Sequence, residues 1–114
     1  NLKVFLNYLR RNIFFNYFNL KGSISYGLHL ILKEKNSLLF KKILRILNKN
    51  LIEFRLGSLG NQIRQPYLKR YKTKSYLKSL KNTEHMHLYS VYIGKYQALD
   101  KKKIIRLCNS LNEI

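Results

Sequence analysis

From Arg64 to Lys81 the chain sets Arg64, Lys69, Arg70, Lys72, Lys74, Lys78 and Lys81 among Tyr67, Tyr71 and Tyr76, and no acid lies between Phe54 and Thr83. Cations in such a segment neutralise phosphates and release counterions, while tyrosine rings stack on unpaired bases. The plainer reading is a solvated lysine-rich loop with no partner. The charge of the whole chain weighs against it: 23 Lys plus Arg face 5 Asp plus Glu, a net +18 over 114 residues. Charge of one sign at that density repels itself and calls for a polyanion. The acids, Glu34, Glu53, Glu84, Asp100 and Glu113, are scattered, which leaves Asn1 to Lys33 acid-free as well.

Further cations fall at spacings that a binding surface needs. Lys42, Arg45 and Lys49, with Lys41 beside them, recur at helical intervals opposite an apolar stripe. Lys101, Lys102 and Lys103 open a helix, where the dipole disfavours positive charge by roughly 0.3–1 kcal/mol each, so phosphate contact is the preferred reason for keeping them. Lysine-rich composition is the competing reason, and Asp100 offsets part of the cost. Lys95 joins these candidates. His85 and His87 would share a strand face as half of a metal site, but no thiol or carboxylate cluster completes it, and surface or RNA-contacting histidines are the preferred reading. Cys108 sits on an apolar stripe as a small core residue. Scattered acids, no nucleophile motif and no phosphate-cradling glycine loop point away from an enzyme, a metal, a cofactor or a small-molecule substrate.

Positioning these residues requires a framework. Leu2, Phe5, Leu6, Leu9 and Ile13 suggest an N-terminal helix, with Arg10 and Arg11 on its other side. Alternation over Ile24 to Lys33 predicts a half-buried strand with Leu28, Leu30 and Leu32 on one face and His29, Ile31 and Lys33 on the other. Asn36 or Ser37 caps a helix reaching Lys49, with Leu39, Ile43, Ile46 and Leu47 as its stripe. Leu51 to Leu56 reads as a second strand and Gly57 to Asn61 as a turn. Pro66 suits a strand edge or start, and Arg64 to Lys81 reads as a long basic loop. His85 to Ile93 alternates as a further strand, ended or bent by Gly94. Asp100 caps a final helix carrying Ile104, Leu107, Cys108 and Leu111. The expected fold is α+β: a small antiparallel sheet packed with two helices, a long basic loop, an N-terminal extension over 1–21 and one RNA-binding domain over 22–114.

RNA is preferred to DNA because no recognition helix or basic zipper appears and because cations occur on every element. The longest charge-free stretches, Asn12 to Leu20 and Gly22 to Leu32, are shorter than the roughly 20 residues of a membrane-spanning helix, so no membrane partner is expected. A single cysteine excludes an intrachain disulfide and fits a reducing compartment. Abundant Asn, Lys, Ile, Leu, Tyr and Phe with one alanine, Ala98, is the bias of an AT-rich gene, as in many mitochondrial or plastid genomes. The basic start allows a residual targeting segment; its lack of Ser and Thr, with Phe14, Phe15, Tyr17 and Phe18, favours a folded extension or an RNA-threading tail.

In order, these elements resemble the universal large-subunit ribosomal protein numbered sixteen in bacteria, in its mitochondrial form, from about Gly22 to Ile114. Ile24-Ser-Tyr-Gly-Leu-His-Leu-Ile-Leu-Lys-Glu34 is similar to the family's F-G-x-Y-G-L-x-A-L-E, Ser37 to Lys49 to its helix, and Leu51 to Leu56 to its I-W-I-R-I strand. The segment Arg64 to Ser75 resembles K-K-P-x-E-V-R-M-G-K-G-K-G, with Pro66, Arg70, Lys72 and Lys74 on matching positions and Tyr71, Thr73 and Ser75 replacing the family's glycines. Tyr89 to Lys95 resembles Y-W-V-A-x-V-K-P-G, and Lys101 to Leu111 its last helix. The resemblance implies an α/β sandwich lodged in large-subunit rRNA among neighbouring ribosomal proteins, with the basic loop reaching toward the peptidyl transferase centre and A-site tRNA. It implies a structural role and a place in the mitochondrial matrix. The alternatives are another organellar ribosomal protein, or a basic accessory subunit of a mitochondrial membrane complex using its cations on anionic lipid.

Overall fold

A computed structural model describes residues 1–114 apart from 23–24 and 57–59, and the backbone alone of Lys69 and Leu77. Its centre is a three-stranded antiparallel sheet, β1 (Gly27–Ile31), β3 (Ser90–Gly94) and β2 (Phe54–Leu56), in the order β1-β3-β2. The helices, in chain order, are α1 (Leu2–Tyr8), α2 (Ser37–Lys49), α3 (Lys74–Ser79), α4 (Lys81–Tyr89) and α5 (Lys101–Asn112). The expected α+β class with a small antiparallel sheet is what the chain adopts.

Register assigns the two faces of the sheet. Leu28 lies opposite Ile93, which lies opposite Phe54, and Leu30 lies opposite Val91. These side chains point toward α2 and α5, whose Ile43, Leu47, Ile104, Leu107, Cys108 and Leu111 complete the core. On the other face His29, Tyr92 and Arg55 form a row across all three strands. The space above Gly27, where any Cβ would stand, is filled by the Tyr92 ring, so glycine is the residue that lets this ring lie along the sheet.

The helices form where caps and periodicity agree. Asn36 accepts a hydrogen bond from Leu39 N at 2.9 Å, and α2 then runs to Lys49 as expected. Asp100 accepts one from Lys102 N at 2.9 Å, and α5 buries Ile104, Leu107, Cys108 and Leu111. Burial pushes the Cys108 thiol up to about 12, so it is a packing group and not a nucleophile.

Several expectations change. The N-terminal helix ends at Tyr8, and Phe5, Leu9 and Phe14 of the N-terminal segment are fully or nearly fully buried in the same core as the sheet. Around the Phe14–Leu32 bridge, Phe15 N donates to Ile31 O at 2.8 Å and Lys33 N to Ile13 O at 2.9 Å, so this segment lines the outer edge of β1. The Asn112 side chain latches it to α5, donating to Tyr8 O at 2.7 Å and accepting from Arg10 N at 3.0 Å.

The long basic loop is mostly helical turns. Pro66 opens a 3-10 segment, Pro66–Tyr71, instead of a strand, because a proline lacking an amide donor costs nothing in a first turn. A shorter 3-10 turn, Gln62–Arg64, precedes it and α3 follows. The strand expected over His85 to Ile93 is helical to Tyr89 and extended only from Ser90, and the Ser90 hydroxyl donates to Met86 O at the junction. Residues 51–53 are also not strand: Leu51 takes a left-handed φ of 55° where the chain leaves α2, which delays β2 to Phe54. Of the expected turn Gly57 to Asn61, residues 57–59 lie outside the described residues.

Replacing Phe5 or Phe14 by Ala will lower the unfolding free energy by about 3–5 kcal/mol, as for other buried aromatics. Urea denaturation measures it, and a loss below about 1 kcal/mol at both sites would show that the N-terminal segment lies outside the core.

Candidate nucleic-acid interface

Among the described residues, none between Phe54 and Tyr89 belongs to the core cluster. The cation-rich segment therefore stands beside the core, and the radius of gyration, 15.4 Å, exceeds the about 13 Å of a compact domain of this length. A lobe that contributes so little to the hydrophobic interior is kept in place by polar contacts. Glu84, in the first turn of α4, accepts from the Arg64 guanidinium and, at 2.8 Å, from Asn61 Nδ2. Asn61 N donates to His87 Nδ1 at 3.2 Å. The hydrogen bond from Arg64, against some burial and with help from Asn61, holds the Glu84 carboxyl down at about 2. The same bond raises the Arg64 pKa. On the opposite side of α4, His85 Nε2 donates to Leu32 O at 2.6 Å and ties the helix to the sheet.

This arrangement separates the expected binding residues. Arg64 faces a carboxylate and acts as the clamp of the lobe. Lys95 donates from Nζ to Ser25 O and is half-buried, so it braces the end of β1. Arg70, Lys72, Lys74, Lys78 and Lys81 are exposed; the side chain of Lys69 lies outside the described residues. Arg70 lies over the Tyr71 ring, 4.9 Å from its centroid, a cation–π pairing. Tyr71 and Tyr76 line one cleft of about 860 Å³, with Leu68, Leu80, Thr83 and His87, whereas Tyr67 lies outside that cleft and is 70% exposed. His85 and His87 point apart because residues two apart on a helix diverge by about 200°. Among the described residues no group of three His, Cys, Asp or Glu could hold a metal ion, and no helix is long and apolar enough to cross a membrane.

Lys41, Lys42, Arg45 and Lys49 are exposed along α2, opposite the buried Ile43 and Leu47. Lys101, Lys102 and Lys103 are exposed on the first turn of α5. Folding joins the two groups: Lys49 meets Lys103, Arg55 and Arg106 around a second cleft of about 950 Å³, floored by Phe5, Phe54, Ile104 and Leu107, with Glu53 as its one acid. Sequence reasoning missed Arg55 and Arg106 here. Arg106 was visible as the residue three after Lys103, on the polar side of the α5 stripe; Arg55 was hidden because its strand belongs to the sheet for only three residues.

Only two ion pairs form among the described residues, Arg64–Glu84 and the exposed, 3.8 Å Arg55–Glu53 contact. The remaining cations of α2 and α5 and the described ones of the lobe thus have no carboxylate partner. Comparison with protein-family models, curated proteins and solved structures returns no match.

A lowered carboxyl pKa stabilises the fold above the unfolded pKa and is lost as pH falls through the folded one. Glu84, with an ordinary value of 4.5 and a folded value of about 2, will therefore contribute fully above about pH 5 and lose that contribution as the pH falls through about 2. Because the pair is partly exposed, Glu84→Gln will cost only about 1 kcal/mol at neutral pH. Unfolding curves of both proteins across this range check it; a constant difference would remove the clamp.

Proposed function

We propose that this chain is a structural, RNA-binding protein of the ribosome, and that its partner is large-subunit rRNA close to A-site tRNA. The observation that carries the reading is the set of exposed, unpaired cations on α2, on the first turn of α5 and on a lobe that has no share in the core. A net charge of +18 spread over the chain, part of it on a lobe held by one ion-pair clamp, needs phosphate to balance it.

The resemblance to the large-subunit protein numbered sixteen supplies the narrower part of the proposal. Strand 27–31, helix 37–49, strand 54–56, basic segment 64–75, strand 90–94 and helix 101–112 follow the order which that resemblance implies. Arg70 contacts phosphate bidentately in this reading, with its face on Tyr71, while Lys72 and Lys74 act as point charges. The basic segment presents Arg70 and Lys74 from short helical turns and Lys72 from the link between them. Its contribution to peptide transfer is to hold RNA in place, and mitochondria are the proposed location.

Each phosphate contact steepens the fall of affinity with salt. Replacing Lys42, Arg45 and Lys49 together by Ala will weaken binding to any RNA sequence alike and flatten the log–log salt slope by about 2–3, as expected for three lost contacts. Crosslinking with RNA sequencing on an organellar ribosome fraction tests the location: crosslinks from residues 64–81 to large-subunit rRNA near the A site support it, and small-subunit crosslinks discard the family while keeping the ribosome.

A further inference from the structure

We infer that the open face of the sheet is a stacking platform for an unpaired RNA base, built from Tyr26, His29 and Tyr92 with Arg55 at its edge. The inference rests on the RNA reading above and adds a site remote in sequence from the basic segment. On this face the central strand supplies Tyr92, and its direct cross-strand neighbours are His29 on one side and Arg55 on the other. The His29 and Tyr92 ring centroids are 4.9 Å apart, and Tyr26 stacks on Tyr92 at 6.4 Å with 29° between the planes. Tyr26 is 76% exposed.

A solvated sheet face ordinarily carries polar side chains. Here three rings adjoin one another, and the absence of a side chain at Gly27 lets Tyr92 lie along the sheet. Burial lowers the pKa of His29, so at pH 7 it is a neutral ring beside Tyr92. Arg55 is held only by the exposed contact to Glu53, a type of pair worth little, and it is free to take the phosphate that precedes or follows a stacked base. Aromatic rings on an open sheet face with a cation at the margin are what an unpaired nucleotide needs, because every base has a π face and duplex RNA offers none to a sheet. The overall charge selects that polyanion over an apolar peptide.

The test measures affinity of the full chain for a short single-stranded oligoadenylate and for an RNA duplex of equal length. Tyr26→Ala, at an exposed position, and Tyr92→Leu will each lose about tenfold or more on the single strand, the worth of one stacked base, and keep wild-type affinity for the duplex. Tyr92→Phe will bind both as wild type does, and circular dichroism confirms that each variant folds. Equal losses on both probes, or none on either, overturn the platform and leave the RNA reading in place. If the wild-type chain binds neither probe, both fall.

Discussion

β3 is the central strand of the sheet, hydrogen-bonded to β1 on one side and to β2 on the other. Its Val91 and Ile93 meet Leu30 and Leu28 across one ladder, and Ile93 meets Phe54 across the other. The apolar side they create is what α2 and α5 cover, and α1 packs on α5 in turn. A strand of five residues thus decides which side of the sheet is interior. Shifting its register by one would send Tyr92 inward and Ile93 to solvent.

The second constraint is electrostatic. A basic chain folds only if its cations stay in water while its stripes meet, and α2 and α5 achieve this by having their lysines and arginines opposite their leucines and isoleucines. Nothing equivalent organises residues 61–88. There, beside the buried Ile63, the Arg64–Glu84–Asn61 contacts and the His85–Leu32 bond hold the segment. One carboxylate accordingly carries an outsized share of the order in the most basic part of the molecule.

These two constraints explain which parts of the fold could be read directly. Helix α5 was legible to the residue at its start and α2 to within one residue, because Asp100 and Asn36 are capping residues followed by regular apolar spacing. The faces of β1 were legible from Leu28, Leu30 and Leu32. The segment before β3 was not: His87, Tyr89, Val91 and Ile93 alternate without interruption, yet the chain is helical as far as Tyr89 because Glu84, His85 and His87 take partners far away in sequence. Phe5 and Phe14 carry no local sign that they meet α5 and β1. Of the candidate site, the cations of α2 and α5 were legible as surface, whereas the roles of Arg64 and Lys95 were set by Glu84 and the Ser25 carbonyl, which spacing does not reveal.

The Asn112 side chain joins α5 to the end of α1 across 104 residues of chain. During synthesis α1 emerges before α5, on which it packs, so Phe5 and Leu9 lack that cover while the intervening chain is made. Throughout that interval a highly cationic nascent chain with uncovered apolar side chains is at risk of aggregating. Docking of α5 on α1 is therefore also the moment of release from that hazard, and any factor that shields the chain beforehand must let go as the two meet.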